Sequence, residues 1–185
     1  MTALRTISGM ALALAAMPAA IAQAPMAMPA MPAPGAGRPV IVPPCAPPAE
    51  FAHWGQRHAV AAATRIGGDR VPELVLDDSV DLALAPIGSL VLAVPLGKPM
   101  QPGDHGGIVR FRATMTGTYR IALGGRAWID VARGTAPVAS VAHAMGPACS
   151  GIAKLVDFQL VPGDYTIQLS AAADPGVRIA IARLP

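Results

Sequence analysis

The sequence predicts an all-β fold: an antiparallel, jelly-roll-like β-sandwich of about eight or nine strands, with one short N-terminal helix. Three observations predict it. From Val71 onward, short runs rich in β-branched residues are separated by clusters of Gly, Pro and Asp. The 185 residues include 19 Gly and 20 Pro, too many backbone punctuators for long helices. Two stretches of the chain also repeat one another, each with the period-two alternation of a half-buried strand.

Residues 1–22 read as a secretory signal peptide. Arg5 precedes a short apolar run, Met10 to Met17, that continues to Ile21. Ala20 and Ala22 stand where a signal peptidase accepts small residues, before Gln23. The apolar run is too short for a membrane span. The address is therefore periplasmic or secreted, with no membrane span after cleavage. Residues 23–48 read as a Pro-rich tether, extended because proline fixes φ and lacks an N–H. Met26, Met28 and Met31 lie in it; no His or Cys joins them, so they read as compositional filler rather than a Cu(I) site.

Two cysteines, Cys45 and Cys149, are an even number in an exported chain, and a disulfide between them is the default. It would enclose a loop of about 100 residues and contribute about 4–5 kcal/mol in the chain-entropy view.

The domain occupies 49–185. Residues 51–66 predict a helix from the Ala run, ended by Gly67 and Gly68. The strand candidates are 79–84, 89–94, 108–114, 118–123, 127–133, 137–142, 152–160, 164–170 and 176–182. The repeat reads Val109-Arg-Phe111 … Gly117-Thr-Tyr119-Arg-Ile121-Ala-Leu123, then Val156-Asp-Phe158 … Gly163-Asp-Tyr165-Thr-Ile167-Gln-Leu169. Alternation assigns Val109, Phe111, Tyr119, Ile121 and Leu123 to the core, with Val156, Phe158, Leu160, Tyr165, Ile167 and Leu169 from the second copy. Val177, Ile179 and Ile181 add a similar face. Each copy fits either a hairpin or an arch between two sheets with a tyrosine corner.

These Phe-x(4–5)-Gly-x-Tyr-x-Ile-x-Leu units resemble those of secreted bacterial jelly-roll and pre-peptidase-type sandwich domains. A longer resemblance runs through 95–185. It is carried by Gly117-Thr-Tyr-Arg-Ile-Ala-Leu123, Ala127-Trp-Ile-Asp-Val131, Ser140-Val-Ala-His143, Gly146-Pro-Ala-Cys149 and Lys154-Leu-Val-Asp-Phe158. These are similar to a family of small exported sphingomonad-type proteins, some of which carry the name homogentisate 1,2-dioxygenase. That name implies a His/Glu/His iron site. The two Glu of this chain, Glu50 and Glu73, do not stand in a strand beside a pair of His.

No nucleophile motif and no phosphate-cradling Gly loop appears, so no catalytic residue and no cofactor are assigned. Seven aromatic residues and a net charge of +3 point away from nucleic acid. The strongest functional signal is a set of arginines. Arg110, Arg112, Arg120, Arg126 and Arg133 lie close in sequence, with Asp130 the sole acid among them. Arg110, Arg112 and Arg120 point away from the core by alternation. They predict an anion-binding face on a non-catalytic binding or envelope-interaction module, its partner an anionic envelope polymer or a periplasmic protein. Trp128 is predicted half-buried and Asp130 salt-bridged to an Arg. The alternative is a copper- or iron-dependent redox protein or oxygenase using His143, Met145 and Cys149, or His105 on its Pro/Gly loop.

Overall fold

Strands that alternate apolar and polar residues have one face to bury, and two sheets solve this by facing one another. The computed structural model describes residues 46–67 and 70–185. The predicted signal peptide, the tether up to Cys45, and Cys45 itself lie outside the described residues. The strands are β1 (His58–Ala61), β2 (Glu73–Leu74), β3 (Ser79–Ala83), β4 (Ala85–Pro86), β5 (His105–Ala113), β6 (Gly117–Leu123), β7 (Trp128–Arg133), β8 (Ala136–Val138), β9 (Ser140–Ala144), β10 (Lys154–Leu160), β11 (Gly163–Ala172) and β12 (Gly176–Arg183). Sheet I runs β1-β3-β12-β6-β10-β9. Sheet II runs β2-β5-β11-β7-β8, with β4 also on β5. Every core residue assigned by alternation in the two repeats and in β12 is buried in one cluster shared by the two sheets.

The repeat forms two arches, not two hairpins. The first copy leaves sheet II as β5 and enters sheet I as β6; the second leaves sheet I as β10 and returns to sheet II as β11. The arches pair side by side, β5 with β11 and β6 with β10. In register, Phe111 of one copy faces Tyr165 of the other, and Phe158 faces Tyr119. Each tyrosine hydroxyl closes its own arch: Tyr119 donates to the Met115 carbonyl at 2.8 Å and Tyr165 to the Val161 carbonyl at 2.8 Å. Each hydroxyl also accepts from the amide of that same residue. These corners satisfy backbone groups where the chain leaves one ladder before joining the next.

Several expectations are corrected. The predicted helix at 51–66 is a 3-10 turn, Ala49–Phe51, followed by β1. Helix propensity for Ala amounts to a few tenths of a kcal/mol per residue. The ladder with β3 instead packs Val60 and Ala62 against the core. β1 is parallel to β3 and β2 parallel to β5, so the sheets are mixed, and the described residues hold twelve strands rather than eight or nine. Residues 89–94 are not a strand. Ser89 ends a second 3-10 turn, Ile87–Ser89, and the chain then crosses the outer face of sheet II. There the fully buried Gln168 side chain takes the place of a neighbouring strand: its Oε1 accepts from the Ala93 and Val94 amides, and its Nε2 donates to the Val94 carbonyl. The predicted strand 137–142 is two, because the chain leaves β7 after Val138 and joins β10 at Ser140.

Phe51, Trp54 and Ile152 form a second apolar cluster with Leu155, Ala122, Ala180 and Ala182 on the outer face of sheet I. His53 and His58 stay at the surface, on the Asp77 carbonyl and the Asp78 carboxylate. No helix among the described residues is long and apolar enough to cross a membrane.

Candidate anion-binding cleft

The three arginines predicted to share a binding face do not share one. Arg110 and Arg112 lie on β5 in sheet II, and Arg120 on β6 in sheet I. Two of the three are also held in ion pairs. Arg112 stands opposite Asp164 in register, with Nε 2.8 Å from Oδ1. Arg120 stands opposite Asp157 and forks onto it at 2.7 and 2.8 Å, while Nη1 reaches Glu50 Oε1 at 2.8 Å. Hydrogen bonding to Asp157, with a further contribution from Glu50, raises the Arg120 pKa above its already high range against the effect of burial. Arg120 is thus a tie between the two arches and the segment that leads into Phe51 and Trp54. Arg110 faces Thr166 on one side and Glu73 on the other. The shallow dent of about 290 Å³ around it contains Arg110, Arg112, Glu73 and Asp164, two charges of each sign. Arg133 donates to the Pro162 carbonyl.

Unneutralised positive charge lies elsewhere. Between β7 of sheet II and β9–β10 of sheet I, the open edge of the sandwich forms a cleft of about 550 Å³. Lys98, Arg126 and Lys154 line it together with Trp128, His143 and Met145, and no Asp or Glu is among its lining residues. Lys98 and Lys154 are both lysines of the chain. Lys154 Nζ sits 5.0 Å from the centroid of the Trp128 ring and 3.4 Å from the Ala127 carbonyl. Burial pushes its pKa down and Lys98 adds to that, with Asp130 partly opposing. A group that loses stability by being charged in place is one that an incoming anion relieves.

The local chain explains why the cleft is held open. Trp128 Nε1 donates to Asp130 Oδ1 at 3.0 Å, and the Gly97 amide donates to Asp130 Oδ2 at 3.2 Å. This fixes the indole and pins the long loop so that Lys98 arrives at the cleft. A Cβ at position 97 would stand 2.7 Å from Trp128 Nε1 and 2.8 Å from Asp130 Oδ1, so the approach requires glycine. The predicted Asp130–Arg ion pair is therefore replaced by an Asp130 bridge between Trp128 and the loop. Trp128 is 36% exposed, in keeping with its predicted half-burial.

The alternative metal ligands are separated by role. His143 and Met145 line the cleft. Cys149 is exposed, in the turn before β10, with φ of 59°. His105 begins β5, with its Nδ1 buried and without a hydrogen-bond partner. Among the described residues no group of three or more His, Cys, Asp or Glu side chains is placed to hold a metal ion.

Sequence reasoning missed Lys98, Arg126 and Lys154 as a group because they come from three segments far apart in the chain. The sequence shows that Lys98 and Lys154 are its two lysines where Arg dominates; that they meet beside Trp128 is visible only in the fold. No protein-family model matches the chain, and no curated protein matches it either.

Proposed function

We propose that the protein is an exported, non-catalytic β-sandwich module that binds anionic ligands, with the cleft at Trp128 as its binding site. The observation that carries this reading is the presence of three cationic side chains around one concave surface with no acid among its lining residues. Charge left unpaired on a concave, partly apolar wall attracts anions more strongly than the same charge on an open face. The predicted signal sequence supplies the address, periplasmic or secreted. A Cys45–Cys149 disulfide belongs to the same reading. It is supported by residues 51–54 packing against Ile152, which brings the chain just after Cys45 close to the turn containing Cys149. Thiol titration of the denatured, unreduced protein is expected to find no free thiol; two free thiols would refute the bridge.

The function is tested by retention on immobilised dextran sulfate. Retention is expected at low salt and should be lost as the Debye length falls to about 8 Å near 0.15 M. Arg126→Gln should elute at lower salt than the parent. Equal elution of the two proteins would contradict the reading. Stoichiometric copper or iron in protein isolated from the periplasm would instead favour the metal-dependent redox reading through His143, Met145 and Cys149, or His105.

A further inference from the structure

The cleft has two parts. Beneath its cationic mouth lies a recess of about 160 Å³ between the sheets, lined by Trp128, Ile129, Ser140, His143, Lys154 and Val156. Trp128, His143 and Lys154 belong to both parts, so mouth and recess are continuous. The recess walls are the side chains of Ile129 and Val156, which the core packing leaves facing this opening, together with the Trp128 ring. Its size is close to that of an apolar cavity of about 150 Å³ that holds a benzene molecule. At the mouth, Met145 is 85% exposed and Trp128 36%, an apolar rim that water covers poorly. A purely ionic ligand would leave recess and rim unused, and a purely apolar one would bring no counter-charge to Lys98, Arg126 and Lys154 beyond the partial effect of Asp130 on Lys154.

We infer that the ligand is a small amphipathic anion: one compact anionic head on an apolar body the size of a benzene ring or a six-carbon chain. The body enters the recess between β7 and β9–β10. The head stays at the mouth, where Lys154 meets it from the ring side and Lys98 and Arg126 from the rim. The indole of Trp128, held by Asp130, is the shared wall on which the apolar body lies. Ser140 and His143 offer the polar groups inside the recess, and either one can accept or donate to a substituent on the body. This inference rests on the reading of the cleft as an anion site and adds the chemical class of the ligand.

The test compares four probes on the full chain by quenching of tryptophan fluorescence: benzoate, hexanoate, acetate and benzyl alcohol. Trp54 is buried at 3% exposure, so Trp128 carries the response, and Trp128→Phe gives the background. Benzoate and hexanoate should bind about 50-fold more tightly than acetate, from roughly 100 Å² of apolar surface removed from water. Benzyl alcohol, with a ring and no charge, should bind at least tenfold more weakly than benzoate. Ser140→Phe, on the exposed strand β9, fills the recess without touching the mouth. It should bring benzoate down to the level of acetate and leave acetate unchanged, with the fold verified by circular dichroism. Benzoate binding no tighter than acetate, in a protein that binds both, would overturn the amphipathic ligand and leave the anion module standing. Benzyl alcohol matching benzoate, or no binding of any of the anions, would overturn both.

Discussion

The outer faces of the paired arches and the cleft beside Trp128 gather similar numbers of cationic side chains and differ in what faces them. On the arches, the first copy of the repeat contributes Arg112 and Arg120, and the second contributes Asp164 and Asp157 at the opposite positions in register. The copies share an apolar pattern and carry opposite charge, so pairing them neutralises both. At the cleft, Lys98 comes from a loop, Arg126 from the β6–β7 turn and Lys154 from the start of β10, and no acid lines the space between them. Cross-strand partners are fixed by register. A run of arginines in one stretch of sequence therefore says little about free charge until the strand opposite is known. The arches use charge to hold the fold, whereas the proposed role of the cleft is to offer it to a ligand.

The paired arches depend most on their shared core. Phe158→Ala should cost about 3–5 kcal/mol, measured by urea unfolding, because Phe158 is 2% exposed and opposes Tyr119 across the ladder. A loss under about 1 kcal/mol would mean the two arches do not share a core. Arg120→Ala should cost about 2 kcal/mol. It leaves Asp157, with 10% of its side chain exposed, without its partner, but a quarter of the Arg120 side chain already meets water. Arg112→Ala should cost less than about 0.5 kcal/mol, since 64% of its side chain and 70% of that of Asp164 are exposed. Equal effects at the two arginines would contradict the distinction between tie and surface pair. Tyr119→Phe and Tyr165→Phe should each cost about 1 kcal/mol, and by similar amounts, because the two corners make the same bonds.

The cleft side sharpens through pH. Burial and Lys98 lower the Lys154 pKa from its ordinary 10.5. A lysine depressed on folding makes its favourable contribution to stability above its unfolded pKa, and that contribution is lost as pH falls through the folded value. At neutral pH Lys154 is therefore charged at a cost. Lys154→Met should not destabilise the protein in thermal unfolding at pH 7, yet should weaken anion binding. In the parent protein, anion affinity should begin to fall at a pH below that of an ordinary lysine. A decline that starts only above pH 10.5 would remove the argument from desolvation.

Much of the fold was legible in the sequence where local pattern decides. The alternation of Val109, Phe111, Tyr119, Ile121 and Leu123, and its echo in the second copy, placed every one of those side chains in the core. What local pattern cannot supply is the partner. Hairpin and arch demand the same alternation within each strand, and only the pairing of β5 with β11 separates them. The Ala run at β1 misled for the same reason: a weak helix preference lost to a ladder with β3, about twenty residues away. Residues 90–94 look like a strand because they are apolar, but the Val91 amide goes to the Thr64 carbonyl and the backbone of Ala93 and Val94 is taken by Gln168, a polar residue in the middle of β11. For the candidate site, the sequence shows an excess of positive charge but not where in the fold that charge gathers. Of the arginines that drew attention, Arg112 and Arg120 are partnered by Asp164, Asp157 and Glu50, which lie well outside their own stretch of chain.

The most direct measurement sets the two cationic regions against each other in one assay. Benzoate affinity is determined at low salt for the parent, for Arg110→Gln/Arg112→Gln on the arch face, and for Lys98→Gln/Lys154→Gln at the cleft. The arch variant should bind within about twofold of the parent, and the cleft variant should lose at least tenfold, roughly 1.4 kcal/mol or more. Loss of binding in the arch variant with the cleft variant unaffected would place the anion site on the arginine face and contradict the account.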